Sequence, residues 1–151
     1  MKIIFLDIDG VLNSEVYFKS VNTKIKGWTR FDPKAVNIVK KLAEEYEAKI
    51  VMTTLWRIVF KKELAVELKK SGLVNYLHKD WQTSVTDPPH RGNEIQLWLD
   101  NHPEVSDYIV LDDDDDILEK HKHRSVLTEM YEGLTESHYF AARELFENNK
   151  I

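Results

Sequence analysis

The chain has 151 residues, 42% of them hydrophobic and 31% charged, enough for one domain with its own core and too few for two of ordinary size. Its formal charge of −5 argues against a global electrostatic footprint for long nucleic acid, and the absence of cysteine excludes disulfides, thiolate nucleophiles and cysteine-based zinc sites. The opening apolar run is too short for a membrane span and is broken by acids where a signal peptide would continue, so a cytoplasmic protein with no membrane partner is the expectation.

That run, Ile3 to Leu6, reads as a strand buried on both faces, and it ends abruptly in Asp7-Ile8-Asp9-Gly10. Side chains two apart on a strand point the same way, so Asp7 and Asp9 are expected to converge. Converging carboxylates repel and are costly to desolvate unless a cation or a shared proton relieves them. Gly10 lets the chain turn away through a positive φ. The alternative is a plain strand-ending turn, for which Asp and Gly suffice. A calcium loop of the EF-hand type is excluded, because it would place Phe5 at the first ligand position.

After an excursion through residue 31 with room for a hairpin or short helix, Asp32-Pro33 reads as an N-cap followed by proline at the first helical position, with Phe31 and Val36 placed as a hydrophobic staple. Val36, Val39, Leu42, Ala43 and Tyr46 recur at helical spacing, and residues 48–53 read as a second strand. A helix over residues 61–70 ends near Ser71-Gly72, and an irregular stretch leads to another over residues 93–100, with Trp98 in the core. Residues 107–111 form a third strand, residues 125–127 a short fourth, and Thr135 caps a last helix through about residue 147, with Leu134 and Tyr139 as staple. Strands alternating with helices predict a parallel sheet covered on both faces, with ligands at the carboxyl ends of the strands. His121 and His123 alternate with lysines and read as surface residues, as do His78, His102 and His138; His90, beside Arg91, is the one to watch.

This layout gathers three features on one edge of the sheet: Asp7 and Asp9 after the first strand, Thr53 and Thr54 after the second, Asp112 and Asp113 after the third. A hydroxyl, two pairs of acids and a nearby cation are what phosphoryl transfer through an aspartyl-phosphate requires. Five adjacent aspartates, Asp112 to Asp116, are self-repelling without a cation.

The segment Asp7-Ile8-Asp9-Gly10-Val11-Leu12 resembles the first motif of the haloacid dehalogenase (HAD) superfamily of phosphohydrolases; residues 50–57 resemble its second motif and residues 108–113 its fourth. More narrowly, the Trp56-Arg57 ending, Arg91-Gly92-Asn93-Glu94-Ile95 followed by Trp98-Leu99, and Gly133-Leu134-Thr135 resemble the small HAD domains grouped with Swiss Army Knife RNA repair proteins. The resemblance spans nearly the whole chain. It implies a Rossmann-like three-layer α/β/α sandwich without a large cap domain, and a magnesium-dependent phosphatase.

Through the same resemblance, Asp7 is the nucleophile and a metal ligand. Asp9 is the general acid and base, contributing a backbone carbonyl to the magnesium. Thr53 or Thr54 binds the transferring phosphoryl group. Arg91, with Lys79 as competitor, is the third-motif cation, and Arg57 is a further candidate to face substrate. Asp112 reaches the metal with Asp113, or with Asp116 if the spacing is wider. The superfamily places a flap where residues 14–31 lie, and Tyr17, Phe18 and Trp28 there offer either a stacking surface for a base or a small satellite core. The implied substrate is a phosphomonoester: a nucleotide, a nucleic-acid end or a small metabolite. The alternatives are a receiver-like signalling module, disfavoured because its phosphorylated aspartate lies on a middle strand, and a non-catalytic metal- or phosphate-binding domain.

Overall fold

The computed structural model describes residues 1–21 and 30–148. Strand β1 (Lys2–Leu6) is central, pairing in parallel with β2 (Ala48–Met52) on one side and β4 (Asp107–Asp112) on the other. With β3 (Leu77–Gln82) and β5 (Ser125–Leu127) at the edges, the sheet is all parallel in the order β3-β2-β1-β4-β5. The chain therefore adopts the expected Rossmann-like α/β architecture, and no large cap interrupts the described residues.

The alternation of strand side chains divides the core into two layers. Ile4, Leu6, Ile50, Met52, Ile109 and Leu111 face a large cluster completed by α2 (Pro33–Tyr46), α4 (Lys61–Ser71) and α7 (Glu136–Glu147). Ile3, Phe5, Val51 and Val110 face a smaller one with Ile95 and Trp98 of α5 (Arg91–Asp100). Phe5 meets the Trp98 ring edge-on at 5.4 Å. Every side chain of β1 from Ile3 to Leu6 is fully buried, which is why this strand is an unbroken apolar run.

The predicted helix starts hold. Asp32 accepts a hydrogen bond from the Lys34 amide at 2.9 Å with Pro33 in the first turn, and Phe31 and Val36 are both buried in the larger cluster. At α7 the capping box is closed by His138, not by an acid: the Thr135 amide donates to His138 Nδ1 at 2.9 Å. His138 is thus a cap residue, contrary to its surface assignment. His121 and His78 are buried, again contrary to a surface assignment; His121 Nδ1 meets the Tyr108 hydroxyl at 2.5 Å, and His78 Nδ1 accepts from the Asp80 amide.

The stretch expected to be irregular contains β3. Its sequence, Leu-His-Lys-Asp-Trp-Gln, is polar because an edge strand needs burial only in part, and its pairing with β2 is irregular between Ile50 and Met52. Of the short helices, α3 (Trp56–Val59) falls outside the sequence reading, whereas α1 (Glu15–Ser20) is the short helix for which the excursion has room and α6 (Glu119–Lys122) fills the expected helical place between β4 and β5. The excursion after the first motif is partly α1; residues 22–29, Trp28 among them, lie outside the described residues. Tyr17 lines a groove of about 900 Å³ between α1 and the N-termini of α2 and α7, together with Pro33, Lys41 and Tyr139.

Candidate active site

Three strands stop level with one another. Leu6 is opposite both Met52 and Leu111 in the sheet, and the ladder runs on through Asp7 N–H to the Leu111 carbonyl at 3.1 Å and Thr53 N–H to the Leu6 carbonyl at 3.0 Å. Asp7, Thr53 and Asp112 therefore stand side by side at the carboxyl edge. Strand order reverses between β1 and β4, which is where open α/β sheets place ligands.

Asp7, Asp112 and Asp113 bring carboxylate oxygens within 4.8 Å of one another. Asp7 and Asp112 are buried and Asp113 is half-buried. Burial raises the Asp7 pKa to about 6, helped by the Asp112 charge and opposed by Arg91. Asp113 is also raised to about 6, by burial and the Asp7 charge, and Asp112 is raised by burial. Arg91, at the first turn of α5, donates to Asp112 Oδ2 and lies 3.4 Å from Asp7 Oδ2. Burial alone would lower its pKa; the two carboxylates outweigh that and raise it. Three hard oxygen donors whose combined charge Arg91 offsets only in part fit a hard divalent cation.

Two glycines make the arrangement possible. Gly10 sits at φ +77°, and a Cβ there would fall 2.7 Å from the Asp113 side chain. Gly92, one residue after Arg91, would place a Cβ 2.4 Å from the Leu118 amide, so only glycine lets α5 approach the segment after β4 this closely.

A sequence model of the family described as the HAD domain in Swiss Army Knife RNA repair proteins matches residues 3–139. The chain belongs to this family. No curated protein and no solved structure matches it. Membership points to hydrolase chemistry of the phosphatase kind in general, and HAD domains typically use a divalent metal.

Within this HAD domain, the structure sorts the candidates. It brings together Asp7, Asp112, Asp113 and Arg91. It does not bring the Asp9 carboxylate into the cluster, contrary to the expectation that it converges with Asp7. The strand ends at Leu6, so the two-residue alternation no longer applies, and Asp9 turns instead to Trp56 Nε1 at 3.1 Å and Asn13 Nδ2 at 2.9 Å. Lys79 is exposed on edge strand β3 beside Met1, Lys49 and Glu104, so of the two candidates Arg91 is the one that stands with the acids. Asp116 is drawn off as well: it binds His90 Nε2 at 2.7 Å and accepts from the Arg91 and Gly92 amides through its side chain and backbone, helping to hold the N-terminus of α5. Of the two, Asp113 is the one that stands with Asp7 and Asp112.

Thr53 and Thr54 are both buried. Thr54 Oγ1 accepts from the Trp56 amide at 3.2 Å, whereas Thr53 Oγ1 has no hydrogen-bond partner among the described residues. Arg57 is turned inward: its side chain is buried and donates to the Thr53, Thr54 and Thr83 carbonyls and to Glu94 Oε2. Glu94, missed by the sequence reading, also accepts from the Thr86 amide and so ties the loop before α5 to the second motif. Its sequence signal was its place in the Arg91-Gly92-Asn93-Glu94-Ile95 stretch, which assigned it no role.

Replacing Gly10 tests the metal cluster directly. Gly10→Ala must push Asp113 aside and adopt an unfavourable positive φ, so magnesium affinity is expected to fall about 10- to 100-fold in a calorimetric titration. Unchanged affinity would remove Asp113 from the ligand set.

Proposed function

We propose that this HAD domain is a magnesium-dependent phosphohydrolase that forms an aspartyl-phosphate on Asp7. The observation carrying this reading is the triad of Asp7, Asp112 and Asp113 beside Arg91 at the sheet's switch point. Asp7 attacks the phosphorus of a phosphomonoester, the bond to the leaving oxygen breaks, and Asp9 supplies that oxygen with a proton. Asp9 then takes a proton from the water that attacks the aspartyl-phosphate, releasing inorganic phosphate and restoring Asp7. Arg91 holds the phosphoryl oxygens while keeping Asp7 in place. Thr53, adjacent to Asp7 and with its hydroxyl untaken, is the hydroxyl assigned to a phosphoryl oxygen. Magnesium held by Asp7, Asp112 and Asp113 would neutralise the substrate's charge so that a carboxylate can approach it.

The family's association with RNA repair and the absence of a large cap among the described residues favour a nucleotide or a phosphorylated nucleic-acid end. The net charge of −5 favours short contact with an end over a long duplex footprint. The test is phosphate release from nitrophenyl phosphate with magnesium or with EDTA, followed by nucleotides and RNA or DNA ends carrying a terminal phosphate. Magnesium-dependent release is expected; release that EDTA leaves unchanged would count against the metal assignment.

The raised carboxyl pKa values give a pH dependence. Without metal, the folded chain keeps protons on Asp7 and Asp113 up to about 6, whereas unfolded aspartates release them near 3.8. These two groups therefore contribute most stability below the unfolded value and lose that contribution as pH rises to their folded values. Magnesium needs them ionised, so its thermal stabilisation is expected to be large at about pH 7.5 and small at about pH 5. Equal stabilisation at both would argue against these acids as ligands.

A further inference from the structure

The reaction above asks Asp9 to present a carboxyl group to the leaving oxygen, yet among the described residues neither a cation nor an acid of the metal cluster is bonded to it. What holds it is neutral. Trp56 Nε1 lies 3.1 Å from Oδ2 and 3.3 Å from Oδ1, and Asn13 Nδ2 donates to Oδ1 at 2.9 Å. Asn13 is itself fixed, because its Oδ1 accepts from the Gly10 amide at 3.0 Å. Trp56 is buried, its ring set between Phe31 at 5.9 Å and Phe60 at 5.7 Å, and its backbone amide is held by Thr54 Oγ1. An indole N–H only donates, so it can orient a carboxyl group but can neither supply nor remove the reaction's proton. An aspartate side chain otherwise samples several staggered rotamers, and misplacement by an ångström costs proton transfer heavily.

We infer that Trp56 is a positioning residue for Asp9: its indole N–H aims the Asp9 carboxyl group, and its ring locks that donor to the segment leading into α2 through Phe31 and to the start of α4 through Phe60. This rests on the reading of Asp7 and Asp9 given above. The second motif then serves the site twice, Thr53 toward the phosphoryl group and Trp56 toward the acid and base.

Trp56→Phe keeps an aromatic ring in the core and deletes the donor. Glycerol phosphate has a poor leaving group that needs a proton, whereas nitrophenolate leaves without one. At saturating magnesium, kcat/KM for glycerol phosphate is expected to fall at least ~30-fold and that for nitrophenyl phosphate no more than ~3-fold. In an Asp9→Asn background, the same change should add nothing further on either ester. Equal losses on both esters, or additive losses with Asp9→Asn, would overturn the inference in favour of a purely structural tryptophan. Where Trp56→Phe does not fold, the indole ¹⁵N–¹H signal of Trp56, assigned through Trp28→Phe, Trp81→Phe and Trp98→Phe, decides the contact: it should move in Asp9→Asn, and an unmoved signal would overturn the proposal. Asp7→Asn distinguishes the two levels. Retained turnover there defeats the phosphohydrolase reading itself, while its loss alongside an unselective Trp56→Phe defeats only the role of Trp56.

Discussion

Asp7→Asn is expected to abolish magnesium-dependent phosphate release, by at least ~10³-fold, while leaving the fold intact. The amide is nearly isosteric with the carboxylate but cannot form an acyl phosphate. Folding should not suffer, because burial pushes the Asp7 pKa up and, with the Asp112 and Asp9 charges, outweighs the attraction of Arg91. Removing one charge from such a group relieves repulsion in the metal-free protein. The Asp7 amide, which continues the sheet ladder to Leu111, is untouched. Phosphate release and thermal unfolding measured side by side check both halves. Turnover within tenfold of the parent would sink the assignment of Asp7, and a collapse in melting temperature would show that Asp7 is needed for the fold instead.

Arg57→Ala is expected to be the most destabilising change near the site, by about 3–5 kcal/mol. The side chains of Arg57 and Glu94 are 2% and 6% exposed and 2.8 Å apart. Alanine would strand the Glu94 charge in the interior together with the carbonyls of Thr53, Thr54 and Thr83. A buried pair is costly to break by removing one partner and much less costly to replace as a pair. Arg57→Met combined with Glu94→Leu should therefore recover part of the loss. Urea unfolding measures both, and a loss below about 1 kcal/mol for Arg57→Ala would show that water reaches the pair and screens it. Activity should fall with stability, since this pair joins the second motif to the helix that carries Arg91.

The central strand, the caps at Asp32 and Thr135, and the three carboxyl-edge features could be read directly from the chain because each rests on local chemistry. A fully buried parallel strand needs an uninterrupted apolar run, and β1 has one. A helix start needs a side-chain acceptor, and Asp32 and Thr135 provide them. The two acids after Leu6 and the two after Leu111 were recognisable because acids at the ends of apolar strands require compensation. The polar edge strand β3 gave no such signal, since its side chains are only partly buried and its identity comes from pairing with β2.

What the sequence determined by itself was the family, the parallel α/β scaffold and which strand ends carry the acids, since hydrophobic period and motif spacing are properties of the chain. Tertiary structure decided which of those groups meet. It set Asp113 against Gly10 and drew Asp116 to His90 and the α5 N-terminus; it brought Arg91 to Asp112 while leaving Lys79 on edge strand β3. It also buried Arg57 against Glu94 and turned Asp9 from Asp7 toward Trp56. Each choice depends on a long-range approach between elements, fixed by strand register and by the packing of α5 at Gly92, and no local pattern of residues encodes those distances.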